Sequence, residues 1–135
     1  MTRASKAEAL GLPIAARVVA HAAHAQAPAD FSTAPVPAIR KALARAGWSP
    51  ADVDLYEVNE AFAVVALIAM RELAIPRERL NVNGGACALG HPIGASGARI
   101  LATLIAALEA GGGKRGVAAL CIGGGEAVAM AVERM

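Results

Sequence analysis

"NGGACALGHPIGASGARI" (residues 83–100) packs five glycines, a proline, a cysteine and a histidine into eighteen positions. Taken alone, such a run is a phosphate cradle, a tight turn or one wall of an active site. Its flanks narrow the fold. Upstream, "RLNVN" (79–83) reads as a strand; downstream, "GASGARILATLIAALEAG" (94–111) reads as a helix with little polar face. Further upstream, "LYEV" (55–58) is a second strand. Asn59 follows at an N-cap position, and "EAFAVVALIAMREL" (60–73) is a helix apolar nearly all round, as in a buried helix. "VPAIRKALARAG" (36–47) has helical spacing at Val36, Ile39, Leu43 and Ala46 and stops on Gly47.

The remaining segments extend the alternation. "RGVAALCI" (115–122) and "AVAMAVER" (127–134) are strands around the "GGGE" break, and "EAGGGKRG" (109–116) reads as a mobile hairpin-like loop. "AARVVAHA" (15–22) is β-prone, residues 1–12 are a helical fragment stopped by Gly11, and residues 24–37 form a proline-marked loop. The order α-β-α-β-α-β-α-β-β predicts an α/β domain over residues 1–135: a mixed, mostly parallel five-stranded sheet with helices on both faces. Ligands on such sheets sit beyond the carboxyl ends of the strands. Asn59, the glycine-rich loop and "CIGGG" (121–125) all fall there.

Composition bounds the partners. Hydrophobic residues make up 56% of the 135 and aromatics 3%, so the core is built from Ala, Val, Leu and Ile. The charged fraction of 18% is low, which fits either an Ala-rich domain or a surface covered by a partner. The net charge of +2 comes from scattered residues, with no basic face or stacking aromatics for nucleic acid. "AFAVVALIAM" (61–70) is about half a membrane span, and the first residues lack the apolar core of a signal peptide. Cys87 and Cys121 make no disulfide framework, so the reducing cytoplasm is the default compartment.

The loop fails as a phosphate cradle. Gly84, Gly85, Gly90, Gly94 and Gly97 do not match G-x-G-x-x-G, and "GGGKRG" has Arg115 where a P-loop needs Ser or Thr. It also fails as a metal site: Cys87 and His91 are C-x3-H, and only His21, His24 and Cys121 could complete a set. What remains is His91, held between Gly90 and Pro92 just before a helix start. Its neighbours permit close backbone approach, which leaves structural and catalytic readings both open. Asn59 is equally an N-cap or a site residue, and Cys121 a small buried hydrophobe or a reactive thiol.

Read together, "NEAF" (59–62), "GHPIGASGAR" (90–99) and "CIGGG" (121–125) resemble, in order and spacing, the C-terminal half of the thiolases, the acetyl-CoA acetyltransferase family. The resemblance runs from about Ser5 to the end and includes "APVPAIRKAL" (34–43) and all of residues 81–100. A related branch carries His-Asp in place of "NE" and ketosynthases use other histidine motifs, so thiolase proper is favoured.

The resemblance implies roles residue by residue. His91 matches the histidine that activates the nucleophilic cysteine and donates to the thioester oxygen of acyl-CoA. Asn59 matches the asparagine whose bound water completes that oxyanion hole. Cys121 matches the second catalytic cysteine, a proton shuttle at the α-carbon and the leaving thiol, and the Gly123 amide matches a donor of a second oxyanion hole. Ala61 and Phe62 match the lining of the pantetheine tunnel, and Phe31 lies near the acyl pocket. Cys87 matches an apolar position and is read as a small buried hydrophobe, His21 and His24 as structural or surface residues, and Glu60 has no assigned role. No metal or resident cofactor is implied; coenzyme A thioesters are substrates.

Two departures matter. Glu126 and Ala127 stand where many members carry Gln or Met followed by Gly. More important, thiolases attack with a cysteine of their N-terminal half, and this chain has no counterpart to it. A whole thiolase is about two such domains packed in five layers, with helices of both halves in the centre. The implied state is a split-gene product, a subunit or an excised domain, inactive alone and associating with itself or with an N-terminal half. "PADFSTAPV" (28–36) resembles the short-chain enzymes more than the long-chain ones. The rival reading is a non-catalytic thiolase-like module that binds a partner or coenzyme A.

Overall fold

A computed structural model describes residues 1–135. Its elements in chain order are α1 (Ala4–Ala9), β1 (Ala16–Ala25), α2 (Pro35–Ala46), β2 (Leu55–Val58), α3 (Ala63–Leu73), the single turn α4 (Ala86–Leu89), α5 (Ser96–Gly111), β3 (Arg115–Ile122) and β4 (Glu126–Arg134). Residues Pro28–Thr33, within the expected loop, form a 3-10 helix. Local signals hold well: α2 ends at Gly47 in the left-handed conformation (φ 70°), and Gly11 (φ 62°) lies just past α1. The mobile loop is shorter than expected: α5 runs through Gly111, capped by Gly112 at φ 69°, and β3 already begins at Arg115.

The sheet has four strands, not five, in the order β1-β4-β3-β2. Only β2 and β3 are parallel; β3–β4 and β4–β1 are antiparallel, so the sheet is mixed but not mostly parallel. The missing strand is "RLNVN". It makes one parallel bridge, Leu80 to Tyr56, and then turns at Asn81, whose φ is 47°. The Asn81 carboxamide replaces the ladder that the backbone abandons. Its Oδ1 accepts from Val58 N (2.8 Å) and its Nδ2 donates to Val58 O (2.9 Å). A buried strand end is thereby satisfied by a side chain in place of a fifth strand.

Alternation along β3 divides the core in two. Val117, Ala119 and Cys121 face the larger cluster, with Ile39 and Leu43 of α2, Val65 and Leu73 of α3 and the alanines 127, 129 and 131 of β4. Ala118 faces the other side, where Ile100, Leu104 and Leu108 of α5 pack with Val132. Helices therefore cover both faces, though incompletely. Beside α5 lies an apolar groove of about 410 Å³, lined among others by Leu101, Leu120, Val128 and Met130. Helix α3, apolar nearly all round, buries only one side: Leu67 is 61% exposed and Val64 48%. No helix is long and apolar enough to cross a membrane.

Candidate active site

The carboxyl ends of β2 and β3 lie side by side because the two strands are parallel. Asn59 continues β2, its N–H donating to Ala119 O (2.9 Å), and Cys121 lies two residues further along β3. Asn59 is not a helix cap: α3 begins at Ala63, with Phe62 in the cap position. The "NEAF" residues form the link between strand and helix, and Asn59 is buried there with its carboxamide free for other work.

That carboxamide meets His91. Asn59 Nδ2 lies 3.5 Å from Nδ1 and 3.4 Å from Nε2 of the ring, nearly equidistant from the two nitrogens. His91 Nδ1 also pairs with Ser96 Oγ at 2.6 Å, while Ser96 Oγ donates to Pro92 O at 3.0 Å. A serine hydroxyl has one proton. With that proton given to Pro92, Ser96 accepts from Nδ1–H, and His91 keeps its lone pair on Nε2. The imidazole is thus arranged as a base. The ring itself is exposed, while Asn59 and Ser96 beneath it are buried.

The loop carrying His91 is anchored by Glu60. One carboxylate oxygen accepts from Asn81 Nδ2 (3.0 Å), the other from Cys87 N (3.0 Å). Burial would raise the Glu60 pKa, but these hydrogen bonds outweigh it and hold the group below its usual value. A Cβ on Gly85 would land inside that carboxylate, so a larger residue there would push Glu60 away from its two partners. Cys87, expected to be buried, is exposed: its amide is tied to Glu60, and the one-turn helix α4 lies at the surface.

Cys121 is buried among apolar residues, which pushes its thiol pKa up. No hydrogen bond joins it to His91 or Asn59 in this chain. Phe31 and Ala61 pack against the same cluster, and Phe31 meets Phe62 edge to face at 5.9 Å between centroids. The chain's two phenylalanines thus form one wall. Gly123 follows Cys121 in the turn, which is closed by Gly125 N donating to Ile122 O (3.1 Å), so the Gly123 N–H is not used to close it. Gly125 itself has φ 90°, and a Cβ there would strike Gln26 O. No three His, Cys, Asp or Glu side chains converge as a metal centre would require. His24 is occupied elsewhere, by Gln26 Oε1 (2.9 Å) and Lys41 Nζ (3.0 Å).

Two residues to which the motifs assigned no role complete the site. Glu57, on β2, is 2% exposed, and its pKa is raised to about 7 because desolvation outweighs the attraction of Arg99. Arg99 Nη1 approaches Glu57 Oε2 at 3.5 Å, and Arg99 Nη2 donates to Asn59 Oδ1 at 3.4 Å.

A mixed α/β sheet with a carboxamide, an imidazole and a thiol at its carboxyl edge defines a domain of the thiolase type. A family model described as thiolase, C-terminal domain, matches residues 12–134. An acetyl-CoA acetyltransferase of Allochromatium vinosum is 53% identical over 131 residues, 97% of this chain and 33% of that protein. The cytosolic acetyl-CoA acetyltransferase of Mus musculus is 52% identical over 134 residues, 99% of this chain and 34% of that protein. The crystal structure of the Bacillus anthracis acetyl-CoA acetyltransferase superposes with a TM-score of 0.96 at 44% identity, over 99% of this chain and 34% of that one. The chain belongs to the thiolase C-terminal domain family. It spans about a third of the length of the relatives it matches.

Proposed function

We propose that this chain supplies one half of the active site of an acetyl-CoA C-acyltransferase that interconverts short-chain 3-ketoacyl-CoA and acyl-CoA, and that a nucleophile-bearing N-terminal part supplies the other. The observation that carries the proposal is the Asn59–His91–Ser96 arrangement at the carboxyl edge of β2, beside the Cys121 strand.

In the degradative direction, a cysteine thiolate of the partner attacks the 3-keto carbon after His91 Nε2 has accepted its proton. The bond between C2 and C3 breaks, leaving the acyl group on the cysteine and an acetyl-CoA enolate. Its negative charge sits on the thioester oxygen, facing the His91 N–H and a water held by the Asn59 amide. Such preorganised donors are worth roughly a hundred- to a thousandfold each in rate. The Cys121 thiol protonates the enolate carbon. Its thiolate then takes the proton of incoming coenzyme A, whose sulfur displaces the acyl group from the nucleophile. The Gly123 N–H serves the acyl-enzyme oxygen, and Phe31, Ala61 and Phe62 line the apolar approach. Condensation is the same path reversed. The chemistry uses no resident metal or cofactor, because the thioester itself makes the α-carbon acidic. A cytosolic setting, as named for the Mus musculus relative, suits it.

The apolar groove beside α5, together with Phe62 (61% exposed), Leu67 (61%) and Ile93 (84%), supports a partner that covers these faces. The test mixes the chain with a separately expressed N-terminal part of the Allochromatium vinosum relative and follows acetoacetyl-CoA cleavage. Turnover is expected from the mixture and not from the chain alone. Measurable turnover by the chain alone overturns the half-site assignment. A mixture that associates yet stays silent favours a non-catalytic module.

A further inference from the structure

We propose that Arg99 is a positioning residue that sets which end of the Asn59 carboxamide faces His91, and that Glu57 holds Arg99 in place for this task. An asparagine side chain is nearly symmetric in shape, and its two ends differ only in hydrogen-bonding sense. A guanidinium donates and never accepts, so the Asn59 atom facing Arg99 Nη2 at 3.4 Å is Oδ1. The amide nitrogen is then the atom turned to His91, at 3.4 Å from Nε2. Flipping the carboxamide would place its NH2 against the guanidinium, donor to donor, and its oxygen toward His91, where the amide donor that holds the oxyanion water belongs. Arg99 therefore keeps the donor end on that side.

Glu57 is the other end of the device. It is buried on β2, two residues before Asn59, and accepts from Arg99 Nη1 at 3.5 Å. The planar fork of Arg99 spans both contacts at once. Its remaining nitrogen, Nε, is buried with no hydrogen-bond partner, so the guanidinium gives up a solvated donor to lie in this plane. The geometry makes Arg99 an orienting group with a cost, not a surface charge.

The proposal deepens the assignment of Asn59 and His91 to an oxyanion hole and rests on it. The test uses the 15N-labelled 135-residue chain and follows cross-relaxation between the Asn59 Nδ2 protons and the His91 ring Hε1. In Arg99→Met the cross-peak is expected to fall by at least half, and in Arg99→Lys to be partly restored. If Arg99→Met unfolds because Glu57 is left alone, Glu57→Gln/Arg99→Met removes both partners and is read in the same way. An unchanged cross-peak in either folded variant overturns the proposal. In the complemented enzyme, Arg99→Met is expected to lower kcat toward the roughly hundredfold loss of a missing oxyanion donor while leaving KM nearly unchanged. Unimpaired turnover in Asn59→Ala refutes the oxyanion reading instead, and leaves the orientation result standing.

Discussion

Replacing Glu57 by Gln should flatten the pH dependence of stability between about pH 5 and pH 8. Burial raises the Glu57 pKa from 4.5 to about 7, and the Arg99 contact at 3.5 Å offsets only part of that. The folded state therefore holds a proton that the unfolded state has released. A pKa raised on folding means that stability is fully present below the unfolded value and is lost as pH rises through the folded one. The window runs from 4.5 to about 7, and each unit corresponds to about 1.4 kcal/mol. Between pH 5 and pH 8 the loss is about 2–3 kcal/mol, a large share of the roughly 5–15 kcal/mol typical of a domain. Asp52, Asp54 and Glu60 have lowered pKa values, so their contributions are lost only on the acid side of this window. Urea unfolding followed by Trp48 fluorescence is the assay, since that single tryptophan packs against the main core. Wild type should be weaker at pH 8 than at pH 5. The Gln variant should match it at pH 5 and exceed it by about 2 kcal/mol at pH 8. A wild type at least as stable at pH 8, or an equal slope in the variant, refutes the reasoning.

Ser96→Ala removes the acceptor that holds the His91 Nδ1 proton at 2.6 Å. The imidazole 15N pattern should move from one tautomer toward a mixture, whereas an unshifted pattern would show that Ser96 does not set it. Burial raises the Cys121 thiol pKa above its ordinary 9.0, so alkylation by iodoacetamide should be slow near neutrality and still be climbing beyond pH 9. A rate that levels off below pH 9 would contradict that environment.

The features legible in the sequence are those whose cause is local. Gly47 ends α2 through its own φ, and the "GGGE" break separates β3 from β4 by turn chemistry confined to a few residues. Asn59 and the Cys121–Gly123 stretch could be placed at one sheet edge because β2 and β3 are parallel and bring their carboxyl ends together, whereas Phe31 and Phe62 were reached only through the family resemblance. What stayed hidden depends on contacts between distant segments. "RLNVN" has strand composition, yet Asn81 bonds Val58 sideways and the strand ends. Glu60 is unremarkable in its motif until its carboxylate meets Cys87 N, and Arg99 looks like an ordinary polar residue of a helix until its fork reaches Glu57 and Asn59. Ser96 left one usable trace. A serine at a helix start, four residues after Pro92, can return its hydroxyl to that carbonyl, which makes it an acceptor for His91.

The site and the surface around it are built on opposite terms. Beneath His91 most polar groups are already matched: Ser96 to Pro92 and the imidazole, Glu60 to Asn81 and Cys87, and Asn59 to Arg99. Donors fixed in this way need little rearrangement when charge develops on a substrate, which is where electrostatic catalysis gains its advantage. The apolar rim has no such internal match, since Phe62, Leu89 and Ile93 are 61%, 58% and 84% exposed. Burial of that rim is non-directional and can drive association without specifying chemistry. On the proposed reading, geometry for the oxyanion belongs to this chain, while water exclusion and the attacking thiolate belong to the part that would cover it. A partner that buried the rim without bringing a thiolate would dry the site and strengthen its hydrogen bonds, and still cleave no carbon–carbon bond.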